Sequence, residues 1–233
     1  MDIITPDYSV LHGSVFDKLD TLPDESIDLC ITDPPYFVMP KGRVAREENR
    51  NYKVNEWDDF SSMEQFIGFT KKWFDLLYKK MKPNSFAFIF WSQKHFLLGT
   101  QIFNPSRMLV WSYPNLISPP QKGMFTYDYE PVFVVMKGNP KLAKHSKTIL
   151  NFTKPQSNFK SDKAVYPTQK PRKLVAHLLD VVGLPQGSLV LDCFQGSGIV
   201  GEQALKLGYK YIGIDNSDDS IEVSREILSN AIK

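Results

Sequence analysis

A strand, a glycine turn, a helix and a second strand follow one another near the C-terminal end of the chain. The apolar run 189–192 leads into Gly196-Ser197-Gly198, and a predicted helix extends to about residue 207. The next predicted strand, about 211–215, ends in Asp215. Two parallel strands need a crossover of this kind between them. The unit therefore predicts an α/β protein with a mostly parallel sheet flanked by helices.

The glycine turn indicates a site for a nucleotide-like ligand. Small residues let a ligand approach the backbone, and the N-terminus of a helix presents unpaired N–H groups. An acidic residue at the end of the following strand, here Asp215, typically binds ribose hydroxyls. For the glycines alone, a tight turn in any α/β protein is the alternative explanation.

A dinucleotide site is also compatible with the glycines, because Gly201 fills the third position of the G-x-G-x-x-G pattern. The position of the unit argues against a NAD-type oxidoreductase. A NAD domain normally begins with this unit, whereas here only one more strand and one helix follow it. The other half of the sheet must come from upstream, as in a circularly permuted fold.

The upstream chain supplies further elements for such a sheet. The apolar run 27–32 predicts a buried strand, which stops at Asp33-Pro34-Pro35-Tyr36 because a double proline cannot continue a central strand. Apolar residues at helical spacing predict a helix over about 62–81, with Ser62 as its N-cap. The remaining predictions are a strand beginning in 10–16, helical turns at 16–22, strands at 86–91, 108–112 and 131–136, and helices at about 173–182 and from 217.

Composition narrows the class of protein. The 233 residues suit one domain, and 42% hydrophobic residues are enough for a core. Cys30 and Cys193 alone cannot form a disulfide framework or a zinc finger, which favours a reducing cytoplasm. We expect no signal peptide and no membrane span. Since His95, His145 and His177 are scattered along the chain, we expect no metal site.

The formal net charge of +2 hides an uneven distribution of charge. Residues 37–61 mix basic and acidic side chains with few apolar ones, and are predicted to form a long mobile loop. Residues 137–173 contain ten basic residues and one acidic residue, Asp162. A strongly basic segment in a near-neutral chain indicates a surface for a polyanion.

Several motifs in a fixed order resemble a known family. Asp33-Pro34-Pro35-Tyr36 after a strand, together with Asp192-Cys193-Phe194-Gln195-Gly196-Ser197-Gly198, resembles the amino-methylating DNA methyltransferases. The order, catalytic motif first and cofactor motif last, is similar to their β class. The likeness spans about residues 10–230. The other matching segments are Glu56-Trp57-Asp58, Lys82-Pro83-Asn84, Glu130-Pro131-Val132, Tyr166-Pro167-Thr168-Gln169-Lys170-Pro171 and Tyr211-Ile212-Gly213-Ile214-Asp215.

The resemblance implies a Rossmann-like methyltransferase fold in a single catalytic domain, 1–233, with S-adenosylmethionine as cofactor. It implies that Asp33 and the Pro34 carbonyl accept the two hydrogens of an exocyclic base amine, which orients the nitrogen lone pair for in-line transfer. Pro35 stiffens the corner. Tyr36 offers a face on which a flipped-out base can stack. Such enzymes occur in restriction–modification systems, although the sequence reveals no restriction partner.

The resemblance also implies a set of residues that bind the cofactor. Ser14 stands where many relatives have an aspartate that helps to hold the adenine of the cofactor. Cys193 replaces a frequent proline, and Tyr113 stands where a lysine is common. None of these departures removes the reacting group. The expected cofactor-binding residues are Ser14, Asp33, Thr168, Gln169, Lys170, Asp192, Phe194, Gly196, Ser197, Gly198, Asp215 and Asn216.

Double-stranded DNA is the partner that this resemblance implies. Residues 137–165 are basic and include aromatic and amide side chains, so we expect a small target-recognition region there. The loop 37–61 is expected to close over the flipped base. A solvated basic face and a disordered loop are the alternatives. Since relatives often dimerise, a homodimer is a further expectation.

N6-methylation of adenine is the leading prediction, because an aspartate at the first position of the corner is mostly found in adenine methylases. N4-methylation of cytosine remains an alternative, since both bases present the same NH2 group. RNA as substrate and a non-catalytic DNA-binding relative are further alternatives. A C5-cytosine methylase needs a catalytic cysteine, typically after a proline, and neither cysteine of this chain follows one.

Overall fold

The computed structural model describes residues 1–37, 60–115, 125–157, 162–166 and 168–232. Within these ranges nine strands form one sheet, in the order β1-β2-β9-β8-β3-β4-β6-β5-β7. The strands are β1 (Ile3–Ile4), β2 (Tyr8–His12), β3 (Ile27–Thr32), β4 (Met81–Phe90), β5 (Arg107–Ser112), β6 (Tyr129–Lys137), β7 (Ile149–Asn151), β8 (Leu189–Asp192) and β9 (Lys210–Asp215). The helices are α1 (Val15–Thr21), α2 (Met63–Lys80), α3 (Phe96–Phe103), α4 (Arg172–Val182), α5 (Ile199–Lys206) and α6 (Asp218–Ala231), with a short 3₁₀ helix at Gln93–His95.

The sheet is mostly parallel, which confirms the predicted fold class. Strands β2, β9, β8, β3 and β4 are parallel neighbours, and β7 is parallel to β5. Only β1 and β6 run against their neighbours. The carboxyl ends of the parallel strands therefore meet at one edge of the sheet. Because β6 runs in the opposite direction, its first residues reach that same edge.

Helices cover both faces of the sheet, as expected for parallel strands. Strand β3 shows why, since its side chains belong to two buried clusters, one on each face. Leu29 and Ile31 pack with apolar residues of α4, α5 and α6. Ile27 and Cys30 pack on the other face with residues of α1, α2 and α3. In the described part of the chain, none of the helices has the length and apolar character that a bilayer crossing requires.

The C-terminal unit lies in the middle of the sheet. Strand β8 pairs with β3 on one side and with β9 on the other. From β8 the chain continues through α5 to β9, whereas from β3 it continues through α2 to β4. The two connections lead in opposite directions along the sheet, and ligands of α/β proteins bind at such a point. This arrangement agrees with the circular permutation predicted from the motif order.

Most of the predicted elements occur with shifted ends, and two strands and one α-helix were not predicted. Helix α2 begins after its N-cap Ser62, which accepts a hydrogen bond from the backbone N–H of Gln65. Strand β4 begins at Met81, and the predicted strand in 10–16 is the strand Tyr8–His12. The strands and the helix that were not predicted are β1, β7 and α3. Strands β1 and β7 have two and three residues, too few to show a period.

Replacing Gly201 with alanine is expected to destabilise the fold by about 1–3 kcal/mol. An added Cβ would lie 2.5 Å from ring atoms of Tyr211 and 2.6 Å from Leu228 Cδ2, and both neighbours are buried. The control is Gly68→Ala in α2, where an added Cβ meets no atom within 4 Å. Alanine is the better helix former there, so this variant should gain about 0.5–1 kcal/mol. Urea unfolding measures both changes, and a Gly201→Ala protein as stable as wild type would contradict the first.

Candidate active site

A cavity of about 490 Å³ opens at the edge where the parallel strands end. It brings the two main motifs together, because β3 and β8 are adjacent strands. Residues from the corner after β3, from the turn after β8 and from the end of β9 all line it. Of the predicted site residues, the cavity is lined by Ser14, Asp33, Pro34, Pro35, Tyr36, Thr168, Gln169, Lys170, Phe194, Gly196, Asp215 and Asn216.

The corner after β3 presents one carboxylate and one aromatic ring to the cavity. Pro34 and Pro35 are buried and hold the chain in its turn. The hydroxyl of Tyr36 donates a hydrogen bond to Oδ1 of Asp33. The Tyr36 ring also packs edge-to-face with Trp91, with 5.9 Å between the centroids. The corner therefore fixes both side chains on which the predicted chemistry depends.

Lys170 binds the carboxylate of the corner. Its Nζ lies 2.7 Å from Oδ2 of Asp33 and 3.0 Å from Oε2 of Glu130. Lys154 approaches the other oxygen of Glu130, with 3.6 Å between Nζ and Oε1. The Lys170 ammonium also lies 5.0 Å from the ring centroid of Phe90, a distance suited to a cation–π contact. Two carboxylates and two ammonium groups thus form one cluster beside the cavity.

Burial and the neighbouring charges set the protonation of these groups. Burial and the charge of Glu130 raise the pKa of Asp33 above its usual value, although Lys170 and Tyr36 act to lower it. Burial by itself lowers the pKa of Lys170, but Asp33 and Glu130 outweigh burial and raise it above its usual value. Burial and the Asp33 charge raise the pKa of Tyr36 well above its ordinary value. At neutral pH Lys170 is therefore an ammonium group and Tyr36 a neutral donor.

The turn after β8 is built around Asp215. Its Oδ2 accepts from the backbone N–H of Gly196 at 2.9 Å, and its Oδ1 accepts from that of Ser217 at 2.9 Å. Gly196 has a φ of 48°, and a Cβ there would lie 3.3 Å from the ring of Tyr166. Burial and the Asp215 charge raise the pKa of Tyr166 to about 12. A carboxylate that accepts hydrogen bonds, a backbone without a side chain and an aromatic ring together fit a nucleoside.

Asp192 supports this turn and does not line the main cavity. Its Oδ1 accepts from the hydroxyl of Thr32 at 2.9 Å and from the backbone N–H of Phe194 at 3.1 Å. Burial raises the pKa of Asp192 to about 7. Gly198 is the N-cap of α5, with a φ of 79°. Ser197 and Asp192 line a small second cavity, which shares Asp33, Lys170 and Gly196 with the main one. Asp192, Ser197 and Gly198 are not among the residues that line the main cavity.

Two further predicted residues use their side chains for local structure. Gln169 donates to the carbonyl of Lys163 and accepts from the N–H of Val165, so it fixes its own loop. Ser14 is the N-cap of α1 and accepts from the N–H of Phe16 at 3.3 Å. Both residues still line the cavity. Their assignment as cofactor-binding residues remains a prediction.

The segment before α4 is tied to the rest of the fold by a partly buried ion cluster. Arg172 binds Oδ1 of Asp162 at 3.1 Å through Nη1 and Oε2 of Glu202 in α5 at 2.7 Å through Nε. Lys206 contacts the same Glu202 at 2.5 Å. Asp162 and Glu202 are largely buried, so this cluster anchors both ends of the segment that carries Thr168 and Lys170.

Several residues that line the cavity were not predicted as site residues. Among them are Trp111, Glu130, Lys154 and Tyr166. Glu130 directly precedes the apolar run that predicted a strand at 131–136, and a carboxylate in that position is a usable signal. The signal is ambiguous in the sequence, because Glu130 reaches the cavity only if β6 runs antiparallel to β4. In the described part of the chain, no group of three or more metal-ligating side chains comes together.

Comparisons with known proteins agree with this geometry. The model of a family described as DNA methylase matches residues 27–226. The Type II methyltransferase M2.DpnII of Streptococcus pneumoniae is 27% identical, over 94% of this chain and 88% of that protein. Two solved structures share the fold. PvuII DNA methyltransferase (cytosine-N4-specific) has a TM-score of 0.73 and 17% identity, covering 98% of this chain and 94% of its own. The complex of M1.HpyAVI with SAM has a TM-score of 0.69 and 18% identity, covering 95% and 98%.

Proposed function

Because the chain belongs to the DNA methylase family and is an S-adenosylmethionine-dependent DNA methyltransferase, we propose that its target is the exocyclic N6 of adenine in double-stranded DNA. One observation carries the proposal. The Asp33 corner and the glycine turn of the cofactor motif line a single cavity, although they lie far apart in the chain. Thr32 and Asp192, which end β3 and β8 and are 160 positions apart, are joined by a hydrogen bond. A base amine and a cofactor can therefore bind side by side in this cavity.

The residues at the glycine turn fit the cofactor. Asp215 would accept hydrogen bonds from ribose hydroxyls, and the bare backbone of Gly196 would allow close approach. Phe194 and Tyr166 line the same cavity. When bound, S-adenosylmethionine supplies an electrophilic methyl group on a sulfonium. The protein supplies the position of the attacking amine.

The corner would bind and orient the base amine. In an exocyclic amine the lone pair is delocalised into the ring, so the nitrogen is a poor nucleophile. Hydrogen bonds from its two N–H groups to the Asp33 carboxylate and the Pro34 carbonyl favour a pyramidal nitrogen with a directed lone pair. An ionised carboxylate has about four lone-pair sites. Tyr36 and Lys170 each occupy one oxygen of Asp33, so sites remain for the amine.

Adenine is favoured over cytosine by the aspartate at the first position of the corner. N4-cytosine methylation is the second candidate, because the same carboxylate would bind either amine. The base must leave the stack in both cases, since its amine is inaccessible there. Trp111 and Tyr36 both line the cavity, so aromatic faces are present where an extruded base would enter.

We propose that the basic region 137–165 is the DNA-binding surface. Lys141 and Lys147 are exposed there, and Lys144 is paired with Asp180 at 2.6 Å. The aromatic Phe152 packs against His177, so it is less available for a base than the sequence suggested. Residues 158–161, most of the predicted loop 37–61, and Glu56-Trp57-Asp58 lie outside the described residues. The loop as a cover for the base, and a homodimer, are retained as proposals.

Nucleoside mass spectrometry tests the proposal. Wild-type protein and an Asp33→Ala control are incubated with S-adenosylmethionine and unmethylated DNA of diverse sequence. N6-methyladenine with the wild type alone would establish the function. N4-methylcytosine would keep the mechanism and change the base. A wild-type protein that methylates RNA and leaves DNA unmodified would overturn the assignment of the substrate.

Tyr36→Ala is expected to lower kcat/KM for DNA by about 5–150-fold, because stacking of a base on an aromatic ring contributes about 1–3 kcal/mol. Tyr36→Phe keeps the face and loses only the hydroxyl that binds Asp33, so it should retain most of that stacking. Steady-state assays at saturating S-adenosylmethionine separate the two variants. Equal losses in both would show that the hydroxyl matters and the ring does not.

A further inference from the structure

Lys170 lies between two carboxylates that come from different strands. Its Nζ is 2.7 Å from Asp33, which follows β3, and 3.0 Å from Glu130 in β6. The side chains of Lys170, Asp33 and Glu130 are only 10%, 19% and 14% exposed. Charges this far from water interact more strongly than a surface pair, because little solvent screens them. The contact therefore acts directly on the carboxylate that is expected to bind the amine.

We propose that Lys170 is a positioning residue for methyl transfer: held by Glu130, it favours the ionised form of the Asp33 carboxylate and directs this group toward the amine of the target base. The inference rests on the proposed function, since it concerns the group that accepts the amine hydrogens. It adds Glu130 to the site as the residue that holds Lys170.

The ionisation of Asp33 depends on this contact. A protonated carboxyl group keeps a hydrogen of its own and loses the charge that attracts the amine hydrogens. Burial raises the pKa of Asp33 and therefore favours the protonated form, and the charge of Glu130 acts in the same direction. The Lys170 ammonium is the main influence that lowers this pKa. Without Lys170, Asp33 would be protonated over a wider range of pH.

The orientation of Asp33 depends on the same contact. Tyr36 donates to Oδ1 and Lys170 binds Oδ2, so the carboxylate is held at both oxygens. Glu130 in turn fixes Lys170, because one of the three N–H donors of the Lys170 ammonium group binds Glu130. The titratable groups around Asp33 are Tyr36 in the corner, Lys170 before α4, Glu130 in β6, Lys154 after β7, Tyr113 after β5 and Asp192 at the end of β8.

The direct test is a titration of Asp33 by ¹³C NMR in protein labelled at the aspartate carboxyl carbon. Asp33 is identified as the resonance missing from Asp33→Asn. An opposite charge typically lowers a carboxyl pKa by about 1–3 units, so Lys170→Met should move the Asp33 midpoint upward by about 1–3 pH units. Lys170→Arg should keep the wild-type midpoint. Lys173→Met, which removes an exposed charge three residues away, is the matched control and should also leave the midpoint unchanged.

An unchanged midpoint in Lys170→Met would overturn the inference. If Lys170→Met does not fold, as judged by far-UV circular dichroism, Lys170→Gln replaces it with the same expected shift. The NMR titration does not require the protein to transfer a methyl group. A wild-type protein that makes no N6-methyladenine would count against the proposed function. An Asp33 titration midpoint that is the same in Lys170→Met as in wild type would count against the role of Lys170 alone.

The pH dependence of methylation gives a second readout that a merely structural role would not move. The acid limb of kcat/KM should shift upward in Lys170→Met, so that raising the pH restores part of the lost rate. Glu130→Gln should lower kcat without an upward shift, because the Glu130 charge itself raises the pKa of Asp33. An upward shift of equal size in Glu130→Gln would contradict the assigned roles.

Discussion

Replacing Asp33 with alanine is expected to lower the rate of methyl transfer about 10²–10³-fold, the usual effect of removing one preorganised group that stabilises a transition state. The variant loses the carboxylate that would accept an amine hydrogen. It also leaves Lys170 with Glu130 as its remaining close carboxylate partner, so the ammonium is free to shift. Because Asp33 is also among the expected cofactor-binding residues, the cofactor must be saturating, so that the rate reports methyl transfer and not binding of S-adenosylmethionine. Single-turnover rates with saturating cofactor and DNA measure the loss.

Asp33→Asn is the control for this prediction. The amide keeps the shape and one acceptor oxygen, but it carries no charge to pair with Lys170. We expect a rate between those of wild type and Asp33→Ala. A rate close to wild type in the alanine variant would contradict the assignment of Asp33 as the acceptor of the amine hydrogen.

Replacing Asp215 with alanine is expected to weaken binding of S-adenosylmethionine by about 10–150-fold, since a hydrogen bond to a charged group contributes about 1.5–3 kcal/mol. Asp215 lines the cavity and organises its wall through Gly196 and Ser217. Both backbone N–H groups lose their acceptor in the variant. Isothermal titration calorimetry with the cofactor alone measures the change in Kd.

Asp219→Ala is the matched control for Asp215→Ala. It removes the same charge from an exposed position at the start of α6, in the same part of the chain. Its Kd should stay within about twofold of wild type, as expected for an exposed charge screened by water. An Asp215→Ala protein that binds the cofactor as tightly as this control would show that Asp215 does not contact it.

Local patterns were sufficient for the elements that carry the main motifs. Strand β3 was predicted with its observed bounds, because its apolar residues run directly into two prolines. Helix α2 was predicted within one residue at each end, since its N-cap Ser62 and its periodic apolar face are local signals. Elements without such signals were missed. Helix α3 has apolar residues on most of its surface, so its period is weak, and it begins without a side-chain cap.

The sequence predicted the roles of individual side chains less well than it predicted the helices and strands. Asp192, Gln169 and Ser14 belong to motifs of the site, yet their side chains bind Thr32, the segment 163–165 and the N-terminus of α1. A motif shows that a residue lies near the ligand. It does not show whether that side chain faces the ligand or supports the backbone around it.

The amino-acid sequence alone determined the α/β class and the two motifs, because each motif consists of residues close together in the chain, and the order of the motifs can be read directly from the sequence. The tertiary structure alone decided which distant side chains complete the site. Glu130 contacts Lys170 only because β6 runs antiparallel to β4 and so begins where β3 ends. Strand direction and strand order result from packing of the whole sheet, and no local pattern of residues specifies them.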